Sequence, residues 1–402
     1  MKAIFFKFAT IALCAVAVVS CDDASSDGDV TVGGTTEVLY GSLSENKTLA
    51  ANTTYELSGA YTVESGATLT IEEGVQIIAQ DDSTVDYILI EQGAKIDARG
   101  TASNPIVMTS ELKEHGAWGG FHICGYAKIN CGSGAEGTIT AKSEIGNSTY
   151  GGDNDADNSG TLSYIRIEYA GYAFSEDSEA NGFSFYGVGS GTTLEYLQAY
   201  KGGDDGFEWF GGCVDAKYLI ATDNNDDSFD WTYGYRGKIQ YAIAEQGEGC
   251  DCLIEADSNS ESTYNTVVSH VALSNVTFTG VDKSSSSSDS FVKVRVGSEI
   301  EFYNAILKGA KNYAFHISGD RTHESITSGS SKFAGIYADN TTASFTTAAF
   351  YSDLGSDLGI SFAGTTSAAA SATPVSVDGF EATDFVGAVG SVDWTSGWSL
   401  AL

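Results

Sequence analysis

Apolar and polar residues alternate along most of the chain in short runs broken by glycine, the period-two pattern of strands with one buried face. Thr70-Ile71-Glu72-Glu73-Gly74-Val75-Gln76-Ile77-Ile78-Ala79 reads as strand, glycine turn, strand, and Leu89-Ile90-Glu91-Gln92-Gly93-Ala94-Lys95-Ile96-Asp97-Ala98 repeats that plan 19 residues later. Farther on, Leu194-Glu195-Tyr196-Leu197, Ala216-Lys217-Tyr218-Leu219 and Ile239-Gln240-Tyr241-Ala242 recur at intervals of 22 and 23 residues. Leu273-Ser274-Asn275-Val276 and Phe302-Tyr303-Asn304-Ala305 stand 29 apart, which leaves room for a longer loop at the serine-rich residues 284–288. One coil of a parallel solenoid consumes about twenty residues. Propeller blades need about 40, and a sandwich has no reason to repeat at so short a period. The pattern therefore predicts an all-β fold, a right-handed parallel β-helix over residues 37–402 with covered ends. Residues 38–61 and 385–398 are the expected caps, with Trp394 and Trp398 filling the second.

The amino terminus follows a different pattern. Lys2 and Lys7 flank a positive region and residues 11–19 form an apolar stretch too short to span a membrane, so residues 1–20 read as an export signal. Val18-Val19-Ser20 before Cys21 resembles a lipobox, which makes Cys21 the residue expected to carry lipid; the plainer alternative is an ordinary signal whose cysteine enters a disulfide. Residues 21–36, with Asp22-Asp23 and little apolar content, suit a flexible tether. With 54 acidic against 20 basic residues the net charge is −34, which disfavours nucleic acid as a partner and leaves the lipid as the expected route to the membrane. Forty-seven glycines, two prolines and 41 Phe and Tyr residues describe a turn-rich β protein with material for a long core.

Gly66-Ala67-Thr68-Leu69-Thr70-Ile71-Glu72-Glu73-Gly74 and Gly100-Thr101-Ala102-Ser103-Asn104-Pro105-Ile106-Val107 resemble the opening coils of pectin-lyase-like β-helix proteins on Bacteroidota surfaces. Nearly the whole chain, including Ala117-Trp118-Gly119-Gly120 and Trp394-Thr395-Ser396-Gly397-Trp398, is similar to a group of bacterial outer-membrane lipoproteins that includes leptospiral surface antigens. The resemblance implies the fold and a cell-surface location at the outer membrane more than an activity.

The strongest chemical signal is a tandem pair. Asp204-Asp205-Gly206-Phe207-Glu208-Trp209 returns 22 residues later as Asp226-Asp227-Ser228-Phe229-Asp230-Trp231. Stacked coils would place such equivalents about 4.8 Å apart, where carboxylates repel unless a cation or a proton intervenes. Alternation puts Phe207, Trp209, Phe229 and Trp231 on one side and Glu208 and Asp230 on the other, with Glu255 a candidate for the next rung. Two readings compete: turn-capping aspartates, or a calcium site built from Asp204, Asp205, Glu208, Asp226, Asp227 and Asp230. Pectate-lyase relatives pair calcium with a basic residue, a role open to Arg236 by fold analogy alone.

Asp153, Asp155 and Asp157 alternate in a glycine-rich loop, a spacing that can wrap calcium, although Asn158 stands where the sharp-turn glycine belongs. Trp209, Trp231 and Tyr233 are candidate ligand-stacking residues if they face outward. Cys124 and Cys131 are near enough in sequence for a disulfide, and Cys213 is within one coil of Cys250 and Cys252. The five histidines show no metal-ligand spacing. The expected function is surface binding, adhesion or nutrient capture, with an extracellular glycan or envelope protein as partner and calcium as a candidate cofactor. A polysaccharide lyase or glycoside hydrolase on the same scaffold, or a structural coat antigen, are the alternatives.

Overall fold

In the computed structural model the described residues are 37–400, apart from 135–138, 176–177, 260–266, 281–289, 310–312, 340–349, 353–357 and 359. The export signal, Cys21, the tether and the serine-rich loop lie outside them.

The chain winds as a parallel β-helix with three faces to a coil, formed by three strands in Thr68–Ile71, Gln76–Ala79 and Tyr87–Ile90 and by one long bent strand and one short strand from Gly160 onward. Strands pair in parallel with their equivalents on the next coil through one 23-stranded sheet. Among the described residues the antiparallel strand pairs are two small hairpins, Ala141–Lys142 with Thr149–Tyr150 and Ala173–Ser175 with Ser178–Glu179. The register obeys the later repeats: Leu194 pairs with Ala216, Ala216 with Ile239, Ile239 with Leu273 and Leu273 with Phe302. Every second residue then points inward, and like stacks on like in one continuous core. Helical structure is limited to Asp320–Ser328 and Thr366–Ala369 among the described residues.

Two expectations need correction. The 19-residue echo does not stack, because Thr70 pairs with Asp97 and Gln76 with Val107. A coil of three strands has more than one glycine corner, and the echo matched one corner to another. Nor do the ends cap as expected. Residues 38–61 are the first coil itself, pairing Leu39 with Leu57. Residues 385–398 run along the flank of the solenoid instead of across its end, because one corner there carries its own apolar strip.

That corner is where a single left-handed residue bends each long strand. Tyr164, Tyr196, Tyr218, Tyr241, Asn275 and Asn304 occupy it, with φ between 52 and 62°. The tyrosine rings stack face to face, with centroids 4.2, 4.3 and 4.8 Å apart in succession. Trp398 packs edge-on against Tyr164 at 5.9 Å, and Trp394 against Tyr218 at 5.3 Å. Side-chain amides clasp the covering segment in both directions. Gln240 donates to Glu381 O and accepts from Glu381 N, each at 2.9 Å, and Gln198 accepts from Leu400 N at 2.8 Å.

Candidate functional site

The short strand of each coil builds the candidate site. In Phe183–Tyr186, Phe207–Phe210, Phe229–Thr232 and Ile254–Ala256, alternation sends Phe183, Phe185, Phe207, Trp209, Phe229, Trp231, Ile254 and Ala256 into the core, while Tyr186 and Phe210 pack outside it under the hairpin insert. Phe207, Trp209, Phe229 and Trp231 are all 0% exposed. Phe183 lies over Phe207 with centroids 4.9 Å apart and planes 4° from parallel. The intervening residues form an outward ladder in which His122, Ser184, Glu208, Asp230, Glu255, Lys293 and His316 pair in turn. Three consecutive rungs are carboxylates at strand spacing, held by an aromatic core that cannot shift register without exposing itself.

The turn before each strand adds a second acidic column. Asp205 Oδ1 accepts the Asp227 N–H at 2.8 Å, and Asp227 Oδ1 accepts the Cys252 N–H at 2.5 Å, so each of these buried aspartates caps the following coil. The turn-capping reading therefore holds for Asp205 and Asp227, yet each uses only one oxygen in this way. Their carboxylates also converge with the ladder. Asp205, Glu208 and Asp230 offer oxygens within 4.8 Å of one another, as do Asp227, Asp230 and Glu255, and Asp204, Asp205 and Asp226. Asp230 belongs to two of these triads, and its Oδ1 is buried with no hydrogen-bond partner. A buried charged oxygen without a partner costs several kcal/mol in real proteins.

Among the described residues, basic side chains reach only one end of the ladder. Lys293 donates to Glu255 at 2.9 Å and Asp251 at 3.3 Å, while Arg295 bonds Glu255 and donates to Asp257 at 2.8 Å. At the other end Asn181 Nδ2 donates to Glu208 Oε2 at 2.6 Å, a neutral partner. Burial, then Asp230, pushes the Glu208 carboxyl well up, and burial followed by Glu255 does the same to Asp230. Asp205 and Asp227 are raised well above their ordinary range too, by burial first and then by Asp204 and Asp226 respectively. Burial and Glu179 lift Asp204 to about 8, burial and Asp251 lift Asp226 to about 6, and burial and Glu179 lift Glu144 to about 7. Glu144 comes from the turn of the hairpin inserted after Cys124, and Glu179 from the hairpin Ala173–Ser175/Ser178–Glu179. Acidic groups from three separate elements thus act on one place, where the bare protein must hold protons or a cation.

The other sequence candidates fall elsewhere. Asp155 sits between Arg236 and Lys128, which donate at 3.0 Å each and, against the upward push of its burial, hold it at about 2. Asp157 accepts the Tyr126 N–H at 3.1 Å and Asp153 is exposed, so the loop does not gather its aspartates around one point. Arg236 is engaged by Asp155, and among the described residues the basic ones bonded to the ladder are Lys293 and Arg295. Trp209 and Trp231 are core residues and cannot stack a ligand from outside. Tyr233 is half-buried against Phe210 and the hairpin insert. Cys124, Cys131, Cys213, Cys250 and Cys252 are unbridged. Cys213 follows its short strand and Cys252 precedes the strand two coils on, so the two stand at opposite ends of that face. Cys124 lies under the insert, and Cys131 faces the Tyr150 hydroxyl at 3.4 Å.

Sequence reasoning missed Asn181, Glu144 and Glu179. A signal for the first existed: Asn181-Gly182-Phe183-Ser184-Phe185 is a third copy of Asp205-Gly206-Phe207-Glu208-Trp209, disguised by the loss of both acids. The family described as a pectate-lyase like beta helix domain matches residues 41–399. No curated protein and no solved structure matches the chain.

Proposed function

The chain belongs to the pectate-lyase-like β-helix domain family, and on that premise we propose that it is a calcium-dependent glycan-binding module, carried to the cell surface as a lipoprotein. The observation that carries the reading is Asp230, shared by two carboxylate triads and left with a buried, unpartnered Oδ1. The donors are all oxygens, and a separation of up to 4.8 Å across a triad is what two Ca–O bonds of about 2.4 Å span. Asp205, Glu208 and Asp230 would hold one ion, with Asp227 on the same coil as Asp230 and Glu255 on the next within reach of that carboxylate. The ion would neutralise the ladder and leave coordination positions for sugar hydroxyls. Residues 1–20 and Cys21 support the export and lipid part of the reading, and the outer-membrane surface is its expected location.

A polysaccharide lyase draws support from Lys293 and Arg295 beside the ladder. Although burial pulls both down, Cys252 followed by Glu255 raises Lys293, and Asp257 followed by Glu255 raises Arg295, above their ordinary values, so each keeps its proton where a general base must lose it. Binding without turnover is the better reading. Calorimetry with calcium on chelator-stripped protein tests it: saturable binding in the wild type, lost in Asp230→Asn, is expected, and an unresponsive wild type overturns the proposal. Mass spectrometry of the amino-terminal peptide from membranes should find acylated Cys21; an unmodified Cys21 removes the lipid anchor.

A further inference from the structure

The hairpin that lends Glu179 to the acidic site also carries two exposed aromatics. Tyr172 is 37% and Phe174 42% exposed, and their rings meet edge to face at 5.2 Å and 77°. The hairpin is pinned beside the ladder at its base. Gly171, at φ 97°, packs so tightly that a Cβ there would lie 2.5 Å from the Asp204 backbone nitrogen. The Tyr172 carbonyl accepts the Ala180 N–H at 3.0 Å, and the next residue is Asn181, which holds Glu208. Tyr172 is therefore bonded across the hairpin base to the residue that precedes Asn181, and its chain neighbour Gly171 packs on the turn that carries Asp204.

We propose that Tyr172 and Phe174 form a stacking platform that seats a ring of a neutral glycan whose hydroxyls reach the cation. The inference rests on the calcium-dependent reading above and goes beyond it in assigning the platform and the charge of the ligand. An exposed aromatic pair with an acidic, oxygen-rich neighbour suits a pyranose, which has an apolar face and a polar edge. Charge selects the neutral class. The chain carries 54 acidic against 20 basic residues, and the adjacent Lys293 and Arg295 are already bonded to Asp251, Glu255 and Asp257. An acidic polymer would meet surplus negative charge at this rim.

Affinity electrophoresis of the full chain in calcium, through gels containing β-mannan, galactan or starch as neutral probes and polygalacturonate or alginate as acidic ones, tests the assignment. Retardation by at least one neutral probe is expected, weakened about tenfold in Tyr172→Ala/Phe174→Ala. The aromatic swap Tyr172→Phe should keep it, and calcium affinity by calorimetry should be unchanged in the double variant. Undiminished retardation in the double variant overturns the platform while leaving calcium-dependent binding intact. Retardation by acidic probes alone overturns the neutral class. A wild type that no probe retards, with or without calcium, overturns the glycan reading itself and this inference with it.

Discussion

Two ladders run along this solenoid, built by the same stacking but with opposite consequences. At one corner Tyr164, Tyr196, Tyr218 and Tyr241 lie ring on ring, and the chain's own residues 381–400 close over them. On the short-strand face Glu208, Asp230 and Glu255 lie carboxylate on carboxylate, with Asp230 Oδ1 left unpartnered. Repetition multiplies whatever a coil presents. Stacked rings attract and can be sealed by apolar cover, whereas stacked charges repel and need something from outside. The closed ladder therefore belongs to stability and the open one to binding, and the two should respond to separate perturbations.

The largest effect should come from uncovering the rings. Trp398 is fully buried, with its indole N–H donated to Trp394 O at 2.8 Å, and Arg166 donates to its carbonyl at 2.7 Å. Trp398→Ala should cost about 3–5 kcal/mol. Denaturant unfolding would measure the loss, and the increment in stability on adding calcium should be the same as in the wild type. A mutant that loses the calcium response as well would show that the ladders are coupled.

The next effect belongs to the acidic ladder. Calcium at 100 times its dissociation constant should stabilise the stripped protein by about 2.7 kcal/mol. In Asp230→Asn the increment should vanish, while the stripped variant melts no lower than the wild type, because burial and Glu255 already oppose ionisation of Asp230 and the amide keeps its shape without an ionisable group. The mirror experiment, Glu208→Gln, should weaken the increment, since Asp227, Asp230 and Glu255 remain as a second triad. Melting curves with calcium and with chelator read both.

Protons should act on the same ladder more gently. Asp204 and Asp226 are lifted by burial to about 8 and about 6, so in the folded state they keep protons that the unfolded chain has released. Their contribution to stability is fully present below the unfolded carboxylate value near 4, and it is lost as pH rises through about 6 and about 8. Without calcium, the melting temperature should therefore fall between pH 5 and pH 8. The calcium increment should grow over the same interval, because the ion no longer competes with protons. A stripped protein that becomes steadily more stable toward pH 8 would contradict the arrangement.

How much of this was readable beforehand follows from the same contrast. The 22-residue return of Asp204 at Asp226 was legible because coils without insertions keep sequence spacing and spatial spacing equal. The inward aromatics followed from alternation alone. Glu144 and Glu179 reach the site from hairpins whose position no period encodes, and Asn181 belonged to the repeat but had shed its charge. The aromatic carboxyl-terminal residues were legible as cover, but not which surface they cover. That depended on Tyr196 and its neighbours pointing outward at a left-handed corner, and an alternation pattern does not reveal φ.

The smallest effect should be found inside the closed ladder. Tyr164, Tyr196, Tyr218 and Tyr241 all adopt positive φ, a conformation that costs a residue other than glycine about 1–2 kcal/mol. Asparagine tolerates it better, and the chain places Asn275 and Asn304 at the same corner on the two coils that follow Tyr241. Tyr196→Asn would relieve strain but remove a ring stacked on both sides, at 4.2 and 4.3 Å, and in edge contact with Trp394 and Trp398. Aromatic pairs contribute about 0.5–1.5 kcal/mol each beyond area burial, so relief and loss should nearly cancel, leaving a net destabilisation of about 1 kcal/mol. Tyr241→Asn, at the end of the stack with one tyrosine neighbour, should cost less than Tyr196→Asn. If the order is reversed in denaturant melts, strain rather than stacking governs this corner, and the attraction assigned to its rings is wrong.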